Sequence, residues 1–582
     1  MKISAIIPSI QSCGRRTFLF LTGLLMTFCA LCAPASAQDG ASLYSGGTII
    51  TMEGDTPQMA EAVLVRNGQI IAVGDEKTLK ARAANMAPAA SVRQVDLKGR
   101  TMLPGFIDAH GHLSFYGLAA SWAKLSPPPL GTVDSIAALQ VALKAYIEEN
   151  DLPEGQPVIG FGYDDSQLAE KRHPTRSDLD VVSGGRPMLI THTSGHLAVM
   201  NSAMLKLARI TADTKNPEGG IIRREADGKT PNGVLEENAL FNITAMLAPK
   251  GGEAALRPIE RGAQGYIEFG VTTVQDGRVE PSAWPNLVMA ADQRKLPVDT
   301  VVLLGGERKW SDEVRQQIGG DYKNRLRIAG IKLSLDGSPQ GRTAWLKDPV
   351  PVPPKGAEAG YHGYPSFTQD ELYPILKEAA ENDWQVFAHV NGDAAAQQLI
   401  DGVRANGLAG KRTIAIHNQV TTLEQLREMK ELDIQPSFFV SHTYFWGDWH
   451  RDVALGPKRA DFISPLASAL AVGLRPTIHN DTPVTPPDMM RLVWSAVNRR
   501  TQSGDILGPL ERVSAYDALK MVTINAAWQI HEDDDKGSIA PGKRADFVML
   551  DANPLSVDPA KIADIKVLAT VKDGKTIYGS LD

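Results

Sequence analysis

Residues 103–113 read LPGFIDAHGHL. Pro104-Gly105 interrupt the chain, Phe106 and Ile107 are apolar enough to be buried, and two histidines then stand one residue apart, His110 and His112. On a strand alternate side chains point the same way, so both imidazoles can face one axis and grip one ion. Gly111 between them leaves space and backbone freedom at a crowded point. A single strand-end histidine is more often a hydrogen-bonded core residue, so this stretch takes its meaning from the rest of the chain.

Downstream, between about 262 and 530, apolar runs recur as GVTTVQD, VDTVVLL, LRIAGIKLSLDG, WQVFAHV, RTIAIHN, LDIQPSFFV and LRPTIHND. Segments of helical period separate the later ones, among them DELYPILKEAAEN and TLEQLREMKELD. Continuous apolar strands alternating with helices predict a parallel sheet. With GFIDAHGH as the first there are eight strands, the number of a β/α barrel, in which the C-terminal strand ends converge on one mouth. The first ends in His110 and His112, the fourth carries Lys332, the fifth ends in His389, the sixth in His417 and the eighth in Asp481. Taken singly, Lys332 reads as a salt-bridged lysine and Asp481 as a helix cap. Together they put four imidazoles, one amine and one carboxylate at one mouth, a set suited to zinc, iron or manganese.

The regions outside the barrel have their own signatures. Residues 38–103 form short alternating strands with an Asn67-Gly68 turn signal, and residues 531–582 read the same way in GSIAPGKRADFVMLD and VLATVKDGKTIYG. The two ends predict one small sheet domain flanking a barrel of residues 104–530, and the interval of about 120–260 is long enough to be an inserted α/β subdomain. In residues 1–37, Arg15-Arg16 precede an apolar run and the small-residue site ASA, the pattern of a cleaved twin-arginine-like export signal. All three cysteines lie there, so the mature chain is expected to hold no disulfide, thiolate ligand or cysteine nucleophile. Removing the signal leaves 57 basic against 67 acidic residues, a formal charge of −10, which argues against nucleic acid or an anionic membrane as partner. No other apolar run approaches the ~20 residues of a membrane span.

LPGFIDAHGH, IKLSLDGSPQGRTA, AHVNGDAAAQQLID, IHNQ and NDTPV occur in the order seen in the metal-dependent amidohydrolase superfamily, which the chain resembles over its whole mature length. It is most similar to the YtcJ-like branch, amidohydrolase family 3, which includes N-substituted formamide deformylases; GYDDSQL, RHPTRSDLD, SGHLAVMNSAML and NPEGGIIRREADGKTPNGVLEENA resemble that branch's insertion. The resemblance implies a distorted (β/α)8 TIM barrel with a β-sandwich domain built from both chain ends. It implies that His110, His112, Lys332, His389, His417 and Asp481 are the metal and catalytic positions, and that Lys332 can be carboxylated to bridge two ions. Three positions depart from the branch: His479-Asn480 precede Asp481 where Gly-Ser is usual, Ala394 replaces a basic residue, and Asn418 an alanine.

The implied reaction is hydrolysis of an amide-type C–N bond in a small-molecule substrate. It uses one or two divalent ions, zinc being favoured, that lower the pKa of water to roughly 7, with Asp481 as general acid and base. His417 doubles as ligand and catalytic residue, and His196 in TSGH is a candidate substrate contact. His442 and His450 lie in the aromatic loop SHTYFWGDWH without an assigned role. A lactone, carbamate or cyclic-amide hydrolase on the same site is an alternative, as is a catalytically silent regulatory or sensing protein. A solute-binding protein of two hinged lobes is disfavoured by the eight-strand count. The export signal implies the twin-arginine machinery and a periplasmic or secreted location, and the sequence is compatible with a homo-oligomer.

Overall fold

The computed structural model describes residues 41–86, 92–240 and 251–581. The signal reading at 1–37, with all three cysteines, lies outside the described residues. Eight strands form one parallel sheet in strict chain order: β1 (Phe106–Ile107), β2 (Val271–Val279), β3 (Asp299–Gly305), β4 (Leu326–Ser334), β5 (Gln385–Val390), β6 (Thr413–His417), β7 (Ile434–Phe438) and β8 (Thr477–Ile478). Every residue of β5, β6 and β7 is buried, as a sheet covered on both faces requires. That is why these strands read as unbroken apolar runs.

The sheet curls until its two edges meet. The Asp481 N–H donates to the His110 carbonyl at 3.2 Å and the His112 N–H to the Thr482 carbonyl at 2.8 Å, just past the ends of β8 and β1. The intervening helices start where their sequences cap them. Thr368 and Glu371 form a capping box before Gln369–Glu381, and Thr422 and Gln425 do the same before Leu423–Leu432. Helix Gln369–Glu381 buries Leu372, Leu376 and Ala379 against the sheet; truncating such a leucine to alanine costs about 2–5 kcal/mol.

A second sheet has six strands, spanning Ala123–Lys124 to Pro231–Glu237, and lies over the mouth of the barrel, where it brings His196 and Glu237 to the site. A third sheet of eight strands joins both chain ends: Phe547–Leu550 pairs antiparallel with Thr101–Pro104. It is pinned to the barrel by a buried ion cluster at the start of β3, opposite the mouth. There Asp299 accepts from Lys536 at 2.6 Å and from Lys572 at 2.7 Å, and Lys572 also reaches Asp546 at 2.7 Å. Among the described residues no helix is long and apolar enough to cross a membrane.

Candidate metal centre

His110, His112, Lys332, His389, His417 and Asp481 all line one cavity of about 250 Å³ at the C-terminal mouth of the sheet. His196, Arg278 and Glu280 share it, and Phe115, Leu118, Trp122, Pro483 and Val484 give it an apolar wall. Two of the six sit on strained backbone. His417 has φ +69° and Asp481 φ +50°, left-handed values uncommon for residues with a side chain and concentrated at functional sites.

The donor atoms converge more tightly on some residues than on others. One nitrogen each from His110 and His417 and one oxygen from Asp481 lie within 4.8 Å of one another. His110 Nε2 is 3.5 Å from Asp481 Oδ1 and His417 Nε2 is 4.0 Å from Asp481 Oδ2. His112 Nε2 joins through Asp481 Oδ1 at 3.1 Å, and Lys332 Nζ stands 3.1 Å from His110 Nε2. His389 faces the same cavity, but its Nε2 lies 3.1 Å from the Asn391 amide and its Nδ1 3.1 Å from Asp336 Oδ1.

The protonation states suit a cation. Burial first, then neighbouring positive groups, drives His110, His389 and His417 well below the ordinary imidazole value, so these rings are neutral at pH 7. Burial would raise Asp481, but neighbouring groups, led by the hydrogen bond and charge of His112, outweigh it and hold the carboxyl below its usual range. Burial pushes Lys332 down to about 7 against the pull of Asp481. Bonds of about 2.0–2.1 Å to imidazole and carboxylate in a tetrahedral shell place ligand atoms about 3.3 Å apart. The 3.1–4.0 Å separations at Asp481 are of that size, and neutral imidazoles with an ionised carboxylate are the donor set such an ion takes.

A family model described as the amidohydrolase family matches residues 93–578. The chain belongs to the amidohydrolase family. It is a metal-dependent hydrolase acting on carbon–nitrogen bonds other than peptide bonds. The chain is 30% identical over 540 residues to an N-substituted formamide deformylase of Arthrobacter pascens, covering 89% of this chain and 95% of that protein. It is 29% identical over 555 residues to YtcJ of Bacillus subtilis (strain 168), covering 92% and 99%. The solved structure of an uncharacterized metal-dependent hydrolase from Pyrococcus horikoshii OT3 superposes with a TM-score of 0.71 at 25% identity, covering 89% of this chain and 99% of that one.

In this amidohydrolase three of the four strand-end imidazoles have an outer partner that the strand pattern did not point to. Gln275 Oε1 meets His110 Nδ1 at 2.7 Å, Asp336 meets His389, and His479 Nε2 meets His417 Nδ1 at 3.1 Å. Such partners fix tautomer and ring direction. His196 has one too: its Nδ1 lies 2.6 Å from Glu237 Oε2, whose other oxygen accepts from Thr343 at 2.9 Å. Burial opposes charge on His196, but Glu237 outweighs it and raises the imidazole pKa.

A second buried cluster, Asp164, Asp165 and His192, also gathers three potential ligands. His192 Nε2 is 3.3 Å from Asp165 and 3.6 Å from Asp164. Burial disfavours the imidazolium, yet the two carboxylates push His192 up to about 9. The cluster therefore supplies its own cation at neutral pH and braces the inserted layer, with Trp446 donating to Asp164 at 2.6 Å.

Proposed function

We propose that this protein is an exported amidohydrolase that cleaves the amide C–N bond of a small substrate carrying an apolar substituent. The observation that carries the reading is the convergence of His110, His417 and Asp481, beside Lys332, in a strand-end cavity with an apolar wall. The 30% identical N-substituted formamide deformylase supports the substrate class. The twin-arginine-like run at Arg15-Arg16 and the ASA site at 35–37 support export in folded form to the periplasm or beyond.

His110, His417 and Asp481, with His112 alongside, would hold a divalent ion, zinc being the best match to the donors. When bound, the ion supplies Lewis-acid polarisation of the carbonyl and acidifies water to a pKa of about 7. Ionised Asp481 takes a proton from the attacking water and returns it to the departing nitrogen. His196, backed by Glu237, donates a hydrogen bond to the carbonyl oxygen as charge builds there. Phe115, Leu118, Trp122 and Val484 take the apolar substituent and exclude water. A second ion would need a bridging anion, and Lys332, lowered by burial to about 7 and so part neutral at that pH, can supply one by adding carbon dioxide and losing a proton.

The test is a panel of N-substituted formamides, carbamates, lactones and cyclic amides, run on the purified enzyme before and after chelation and again with zinc restored. Turnover of an N-substituted amide that is lost with the metal and regained with zinc is expected. Full activity in metal-free protein, or turnover of esters alone, overturns the reading.

A further inference from the structure

We propose that His479 is a positioning residue that orients His417 and fixes which of its ring nitrogens faces the metal pocket. His479 follows β8 directly and is fully buried. Its Nε2 lies 3.1 Å from His417 Nδ1, and its Nδ1 lies 2.9 Å from the hydroxyl of Ser437 on β7. These contacts thread one line of hydrogen bonds through three adjacent strands, from Ser437 to His479 to His417.

The line admits one self-consistent proton arrangement if His417 is to bind a cation. His417 must present the Nε2 lone pair to the pocket, so its proton sits on Nδ1 and donates to His479 Nε2. His479 then carries its own proton on Nδ1 and donates it to Ser437 Oγ. The reverse order would put a proton on His417 Nε2, aimed at the cation.

Backbone geometry explains why His417 needs such an anchor. Both His417 and Asn418 have left-handed φ values, +69° and +45°, so the direction in which the ring leaves β6 is not set by regular strand pleating. His110 and His389 are held by a carboxamide and a carboxylate through the same ring position, Nδ1. His417 is held through Nδ1 as well, by the His479 imidazole.

The inference rests on the metal reading of the site, and the experiment separates the two. Zinc and cobalt(II) affinities would be measured by chelator competition on the full-length mature enzyme, the His479→Leu, His479→Gln and Ser437→Ala variants, with the cobalt absorption spectrum recorded for each. His479→Leu is expected to weaken both metals by about 10–100-fold without changing the cobalt coordination number. His479→Gln, which keeps an acceptor near the Nε2 position, should recover most of that loss, and Ser437→Ala should lose a few-fold. Unchanged affinity in His479→Leu overturns the proposal, as does a spectrum showing a lost ligand, which would make His479 a ligand itself. If His479→Leu does not fold, unchanged affinity in Ser437→Ala together with no gain in His479→Gln over His479→Ala overturns it. Wild-type enzyme that binds neither metal would instead bring down the reading of the whole centre.

Discussion

Asp481→Asn is the substitution that separates binding from proton transfer at this site. The asparagine has the same shape and keeps one acceptor oxygen, so the contacts at 3.1 Å to His112 Nε2 and 3.5 Å to His110 Nε2 can survive. The second oxygen, 4.0 Å from His417 Nε2, becomes an amide nitrogen that accepts nothing. Loss of a positioned general base costs about 10²–10⁴-fold in kcat, or about 2.7–5.4 kcal/mol at 1.36 kcal/mol per tenfold. The imidazoles remain, so metal content measured by mass spectrometry should stay near that of the wild type. The pH profile sharpens the test. Asp481 is held below the usual carboxylate range, so its protonation adds no acid limb between pH 5 and 9, and the variant's profile there should be a scaled copy of the wild type's. A variant within tenfold of wild-type kcat would refute the base assignment. A wild-type acid limb near pH 6 that disappears in the variant would refute the charge argument.

Three further outcomes follow from the geometry. Asp299→Ala leaves Lys536 and Lys572 buried without their shared carboxylate and should cost about 3–5 kcal/mol in urea unfolding at pH 7; because the folded pKa is depressed, the wild-type contribution persists as pH falls to about 4 and is lost only below that, and a loss under about 1 kcal/mol would contradict the pinning role. His192, raised to about 9, contributes stability that is whole below its unfolded value of about 6.5 and fades as pH climbs through 9, so the wild-type Tm should drop more steeply between pH 7 and 10 than that of His192→Asn, and parallel curves would sink the imidazolium. A Cβ at Gly111 would lie 2.2 Å from the Tyr266 hydroxyl and 2.3 Å from Asp108 Oδ2; Gly111→Ala should therefore spread His110 from His112 and weaken metal retention by about tenfold or more, and an unaltered competition titration would show that the turn has room to spare.

The barrel strands were legible because a parallel sheet buried on both faces leaves no polar alternation to blur its runs. The strand-end residues were legible for a related reason: a β/α barrel brings all its C-terminal ends to one mouth, so residues hundreds of positions apart can be assigned to one cavity by counting strands. Gln275 was invisible by the same logic. It sits inside GVTTVQD as one of four polar residues, and only the register of β2 against β1 brings it to His110 across 165 positions. Asp336 and Glu237 are carboxylates of ordinary appearance whose partners lie 53 and 41 residues away.

The counting argument also reaches a limit at ring direction. It brings His389 and His417 to the same mouth on equal terms, yet Asp336 and Asn391 hold the first ring between them while the second converges with His110 and Asp481. Strand period fixes which face a side chain leaves from and says nothing about its χ angles, which here are set by outer partners on neighbouring strands. His479 shows both sides of that limit. It stands out in the sequence as a departure before Asp481, because composition at a motif can be compared. What it does depends on a 3.1 Å contact to a ring on strained backbone 62 residues earlier, and no spacing rule for regular strands reaches a residue whose φ has left the strand region. A metal centre on this scaffold is therefore specified twice: strand order gathers the donors, and the hydrogen-bond partners behind them decide which lone pairs meet the ion.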